Sequence, residues 1–130
     1  MNWRRPLTNI DLIKYTKNLR YFRGVFMRDQ LPKKSNYYED GILNLDTSEN
    51  QGTHWIAYRR RGAKSYVFDP YGDLSPPPEL ISYLEPSKIH YNFERFQDYN
   101  THYCGHLSVI FLNYKNYKNL IYKKWSTRIL

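Results

Sequence analysis

The sequence predicts an α+β domain, a small and mainly antiparallel sheet with helices packed on it, and three observations carry that reading. Short stretches of strand length recur between turn signals, the clearest being 54–59 and 65–69 on either side of Arg60-Arg61-Gly62-Ala63-Lys64. Ile89, Tyr91 and Phe93 alternate with His90, Asn92 and Glu94, the period of a strand with one buried face. From Cys104 the spacing changes: Leu107, Ile110, Phe111 and Tyr114 follow a helical period, while Val109 and Leu112 add apolar character off that row. A helix apolar on most sides belongs inside the domain.

The remaining elements follow in chain order. Thr8 is placed to cap a helix with Asp11 at its third position and Leu7 stapled to Leu12, and that helix is expected to run to about Asn18. Residues 21–26 read as extended, with Gly24 inside them; 31–38 is a loop opened by Pro32; 41–45 is a short apolar strand; and 46–53 is a polar loop. Asp69-Pro70-Tyr71-Gly72-Asp73 ends a strand sharply, and Pro76-Pro77-Pro78 introduces a short helix over 79–84. Residues 98–101 form a turn. The row Tyr114, Tyr117 and Ile121 predicts an amphipathic helix across 114–125, although its Tyr and Lys residues in alternation would also suit base stacking. There is no internal repeat.

A chain of 130 residues fits a single domain, 1–130, here with a basic C-terminal segment at about 115–130. One cysteine excludes an internal disulfide framework. No apolar run approaches the ~18 residues of a membrane span. The start MNWRRPLTNIDL has no apolar signal region, so the chain is expected to be soluble, not secreted and without membrane partners. The 20 Lys+Arg exceed the 12 Asp+Glu by 8 and are unevenly spread: nine lie between Arg4 and Lys34, Arg59, Arg60, Arg61 and Lys64 cluster, and five lie in 115–130. Separate basic patches point to a polyanion such as DNA, against the plainer reading of a solvated surface.

Cys104 opens the apolar helix, where unpaired amides and the helix dipole favour a thiolate. Gly105 follows and would leave room for a substrate backbone. A nucleophilic thiolate needs a base, a group to orient that base, and donors for the oxyanion. His54, beside Trp55, begins one strand of the predicted hairpin and Asp69 ends the other, so antiparallel pairing would bring imidazole and carboxylate to one edge of the sheet. Gln97, seven residues before Cys104, has an amide that could meet the same carbonyl oxygen as the Cys104 backbone N–H. Each residue alone has a structural explanation; the ordered set of four is more informative. A zinc site from His102, Cys104 and His106 fits poorly, because a helix would split the two imidazoles and structural zinc takes more thiolates or a Cys2His2 set.

GTHWIAYRR (52–60), YVFDPYGDLSPPPEL (66–80) and FQDYNTHYCGHLSVIFL (96–112) resemble the adenain family of viral cysteine proteases. FRGVFMRDQLP (22–32) and GILNLD (41–46) are similar to blocks in the adenain-like proteases of Polinton-type elements and related DNA viruses, so the resemblance spans about 7–114. It implies the permuted papain-like α+β fold shared with SUMO-specific proteases. It implies Cys104 as nucleophile, His54 as general base, Asp69 as third member in a place where adenain has a glutamate, and Gln97 as oxyanion donor. Trp55, Gly105 and Gly24 become candidate substrate-binding residues of a narrow cleft suited to small residues. The implied activity is an endopeptidase acting on viral capsid or core precursors in the virion and host nucleus, with no cofactor for the chemistry and DNA as an activator. The only cysteine is the proposed nucleophile, so a peptide activator would have to bind noncovalently. The same residues leave two alternatives: an isopeptidase for ubiquitin-like Gly-Gly tails, and a nucleic-acid-binding module with an inactive site.

Overall fold

A computed structural model describes residues 1–48, 54–98, 101–122 and 127–130. In chain order the elements are α1 (Asn9–Thr16), β1 (Phe22–Met27), β2 (Tyr38–Asn44), β3 (Trp55–Arg61), β4 (Lys64–Phe68), α2 (Pro78–Leu84), β5 (Lys88–Asn92), α3 (Cys104–Asn113), α4 (Lys118–Ile121) and β6 (Thr127–Ile129). The strands form one sheet in the order β1-β2-β3-β4-β5-β6. β2–β3, β3–β4 and β5–β6 pair antiparallel, whereas β1–β2 and β4–β5 are parallel. The α+β class and mainly antiparallel sheet are therefore as expected.

Helices cover both faces of this sheet. On one face Leu7, Leu12, Val109, Phe111, Leu112 and Ile121 from the α1, α3 and α4 side pack on Ile42, Ala57, Tyr66 and Phe68. On the other, Leu80, Tyr83 and Leu84 of α2 pack on Leu43, Ile56, Tyr58, Val67, Ile89 and Tyr91. Successive residues of a strand point to opposite faces, so the central strands are buried on both, from Ile56 to Arg60 in β3 and from Ser65 to Phe68 in β4.

This double cover corrects several expectations. Residues 89–92 are all buried, while Phe93, expected on the inner face, is 38% exposed. Ile110 on α3 and Tyr114, just past its end, face outward; Cys104, Ser108, Phe111 and Leu112 are buried. The 114–125 stretch is not one helix: α3 ends at Asn113, a turn follows, and α4 is four residues long. Tyr117 and Ile121 still pack on the core, but residues 123–125 lie outside those described. Thr101 N–H and hydroxyl both donate to Asp98 O, as a turn requires, with residues 99–100 outside the described set. The polar loop at 46–53 is likewise described only to Ser48 and at His54.

The start of α1 follows its sequence signature. Asp11 N–H donates to Thr8 Oγ1 at 3.2 Å, and Thr8 N–H donates to Asp11 Oδ2 at 2.9 Å. The helix ends at Thr16, whose hydroxyl turns back onto Leu12 O. Elsewhere long-range polar pairs decide what local sequence could not. Glu39 and Asp40, which fall between the loop expected at 31–38 and the strand expected at 41–45, are buried in β2 just after its exposed first residue Tyr38. Glu39 accepts from Tyr58 OH, Tyr83 OH, Arg23 and Asn36 N–H. The Tyr58 ring reaches it over Gly41, where an added Cβ would meet that ring at 2.3 Å. Asp40 accepts from Arg59 Nε at 2.8 Å and Nη2 at 3.1 Å, and Arg59 also donates to Leu112 O. Arg60 is buried on Gly62 O and Ser35 Oγ, and Arg61 joins Asp40. The 59–61 arginines therefore belong to the folded interior and its margin, not to the solvated basic patch that their spacing implies.

Candidate active site

Strand register assembles the site. β3 and β4 pair with Ala57 opposite Phe68, which carries His54, just before β3, towards Asp69, just after β4. His54 Nε2 and Asp69 Oδ1 are 2.7 Å apart, and both residues are 8% exposed. The carboxylate is itself held: Tyr71 N–H donates to Asp69 Oδ1 at 2.9 Å. Asn92, on β5, clamps the Asp69 backbone, accepting from its N–H at 2.8 Å and donating to its C=O at 2.7 Å. The Tyr71 ring stacks on the His54 imidazole with centroids 4.1 Å apart and planes 11° apart. Gly72 makes this turn possible. Its φ is +60°, and an added Cβ would lie 2.0 Å from Glu94 O.

α3 supplies the sulfur. Cys104 is the first residue of that helix, 6% exposed, and Trp55 N–H donates to its Sγ at 3.4 Å. The helix is fastened along β3: Ser108 Oγ donates to Trp55 O and Leu112 O accepts from Arg59. Burial works against a charge on His54, but the hydrogen bond to Asp69, then Cys104 as hydrogen-bond partner, and the charges of both together raise the imidazole from 6.5 to about 9. The second ring nitrogen, Nδ1, is buried and makes no bond of good hydrogen-bond geometry among the described residues. The structure thus brings His54, Asp69 and Cys104 together as a connected set.

Gln97 is 4% exposed, and its Nε2 donates to Thr101 O at 2.9 Å, which fixes the amide shortly before Cys104. Its Oε1 is buried without a protein partner among the described residues. Beside Cys104 opens a cavity of about 740 Å³. Trp55 and Gly105 line it, together with Arg5–Asn9, Val25–Met27, Gln30, Thr101 and His102. At Gly105 an added Cβ would meet Leu7, Leu12 and Trp55 at 3.2–3.4 Å, so the missing side chain serves the packing of α3 on α1 as much as any ligand. Gly24 lies outside the lining, at the register shift of β1.

Three contributors were not legible in the sequence. Tyr71 reads there as part of a strand-ending turn, and Asn92 as an outward residue of β5. The segment before α1 reads there only as a stretch without an apolar signal region. It is instead tied to the start of α3: Asn2 O lies 2.6 Å from His106 Nε2, Trp3 O lies 2.8 Å from His102 Nε2, and the Trp3 ring stacks on His106. His102 and His106 are thus engaged by backbone, and no group of three or more His, Cys, Asp or Glu among the described residues is arranged to hold a metal. No helix among them is long and apolar enough to cross a membrane.

No protein-family model matches the chain, and no curated protein matches it by sequence. Among solved structures, the ASFV pS273R protease superposes with a TM-score of 0.57 over 93% of this chain, at 17% identity. The two chains share a fold. The chain spans 62% of the length of the ASFV protease, and at this identity the likeness establishes the shared fold alone.

Proposed function

We propose that the chain is a cysteine endopeptidase, with Cys104 as nucleophile, His54 as general base and acid, Asp69 as the group that orients and charges His54, and Gln97 as an oxyanion donor. The observation that carries this reading is the buried His54–Asp69 pair at 2.7 Å with its imidazole raised to about 9 beside the Cys104 sulfur. An unpartnered nitrogen alone does not mark a catalytic histidine, since His90 Nε2 and His106 Nδ1 are also buried without a partner among the described residues; what sets His54 apart is the company of its two ring nitrogens. Here one is fixed by a carboxylate and the other is left to exchange a proton with the thiol.

In the proposed reaction, His54 holds the proton of Cys104 and the thiolate attacks a peptide carbonyl carbon, forming the C–S bond and an oxyanion. The N–H groups in the first turn of a helix lack intrahelical acceptors, so the Cys104 amide is one donor to that oxyanion. One N–H of the Gln97 amide is spent on Thr101, and the other is the second donor. The C–N bond then breaks as His54 gives its proton to the leaving amine. Water, deprotonated by the same imidazole, attacks the thioester and releases the acid and the free thiol.

The cavity beside Cys104, with Trp55 on its wall, supports a peptide substrate entering between the segment before α1 and β1. By resemblance, the substrates would be capsid or core precursors cut next to small residues, within the virion or host nucleus. DNA, or a noncovalently bound peptide, would act as activator. The test is alkylation of the single thiol across pH, followed by cleavage of glycine-containing peptides. Fast alkylation well below pH ~8.5, lost in His54→Ala, is expected. An ordinary titration near ~8.5 in both proteins, with and without DNA, would sink the proposal.

A further inference from the structure

The two ends of the sheet differ in chemistry. One end carries His54 and Asp69. The register gathers at the other the starts of β1, β2, β4 and β5 and the end of β3, with Tyr38 opposite Arg61 and Lys64 opposite Lys88. The two ends are about 20 Å apart along β3 at ~3.3 Å per residue. At this remote end Tyr37 and Tyr38 are 65% and 47% exposed, and their rings stack with centroids 5.6 Å apart. Neighbours hold both rings in place. The Arg60 guanidinium lies 5.6 Å from the Tyr37 centroid, and that ring rests against Gly62. Tyr21 meets Tyr38 edge-on at 5.5 Å, with Arg61 between them and Arg20 over Tyr21.

The surrounding charge is one-sided. Arg20, Lys34, Lys64 and Lys88 are exposed, whereas Glu39 and Asp40, the acids of this end, are buried and already bonded. Glu85, ahead of β5, is the exposed acid nearby. A fixed pair of exposed aromatic rings framed by cations matches the requirements for single-stranded nucleic acid. The rings stack on unpaired bases without regard to sequence, and the cations meet phosphates. Duplex DNA offers phosphates but keeps its base faces covered, so the rings would have nothing to stack on.

We propose that this end of the sheet binds single-stranded nucleic acid, with Tyr37 and Tyr38 as the stacking platform and Arg20, Lys34 and Lys64 on the backbone. The surface is independent of the protease reading and is tested without any peptide substrate. Fluorescence anisotropy of the intact chain with a labelled oligothymidylate of about 20 nucleotides gives the affinity; a duplex of equal length and heparin are the comparisons.

Binding to the single strand is expected to be tighter than to either comparison and to fall steeply between ~50 and ~200 mM salt. Tyr37→Ala with Tyr38→Ala should weaken it by about tenfold or more at constant salt. Tyr37→Phe with Tyr38→Phe should retain it. Arg20→Gln with Lys64→Gln should reduce the salt slope instead. Both tyrosines are exposed, and circular dichroism will verify the fold of each variant. Equal binding of single strand, duplex and heparin that is indifferent to the alanine pair would overturn the proposal in favour of a simple polyanion surface. Absence of binding at low salt would also overturn it.

Discussion

Two buried ion pairs of opposite character involve Arg59, on β3, and His54, just ahead of it. Arg59 meets Asp40 through two nitrogens, spends a further bond on Leu112 O, and lies over the Tyr117 ring at 4.4 Å. His54 meets Asp69 through one nitrogen and leaves the other without a bond of good geometry. A pair that exists to hold the fold saturates its hydrogen-bonding groups, because an unmet buried donor costs ~1–3 kcal/mol. A pair built for proton transfer instead keeps its second nitrogen for the group it trades a proton with, here the Cys104 sulfur. The contrast separates a structural charge from a chemical one only five residues apart in the chain.

The largest expected effect lies on the chemical side. Cys104→Ala should reduce peptide cleavage by ~10⁴–10⁶ while leaving the thermal unfolding of the chain nearly unchanged. Steady-state assays beside a melting curve check both halves. The structural pair should behave the other way. Asp40→Ala strands Arg59 in the interior and should cost ~3–5 kcal/mol by denaturant unfolding, whereas exchanging both partners for apolar residues of similar volume should cost much less. Equal losses from the single and double exchanges would break the distinction drawn between the two pairs.

Gln97→Ala should lower kcat by ~10²–10³ with little change in KM, as expected for a donor that acts in the transition state. A loss confined to KM would reassign Gln97 to holding the Thr101 turn.

The fourth prediction concerns pH. The His54 imidazole is raised from 6.5 to about 9, so the stability that its protonated form contributes is fully present below pH 6.5 and is lost as pH rises towards 9. NMR of the His54 ring should show a titration near 9 that moves down in Asp69→Asn. The smallest effect is at Tyr71, where replacing the stacked ring with Leu should cost about 3–10-fold in kcat/KM.

The legible parts of the molecule were those governed by neighbours in sequence. Thr8 and Asp11 mark a helix start because both bonds of the capping box close within three residues. The hairpin logic that placed His54 beside Asp69 needed only one turn. Residues whose meaning depends on distant partners were misread. Arg59 looks like a DNA contact until Asp40 and Leu112 enclose it, and nothing near Glu39 in the chain announces that Tyr58, Tyr83 and Arg23 converge on it. Likewise Asn92 is an ordinary polar residue of an alternating strand, and only the parallel pairing of β5 with β4 sets it against Asp69. Strand alternation reports faces correctly but cannot say how many faces are covered.

The bonds that fasten α3 to β3 also have a mechanical consequence. Ser108 reaches Trp55 O near one end of the strand and Arg59 reaches Leu112 O near the other. The helix bearing the sulfur and the strand leading from the imidazole therefore form one stiff body, and bending elsewhere leaves their spacing intact. Access to the sulfur must then come from the parts laid over that body, the segment ahead of α1 foremost. In hydrogen exchange, the amides of β3 and α3 should open together and last, while those ahead of α1 open on their own.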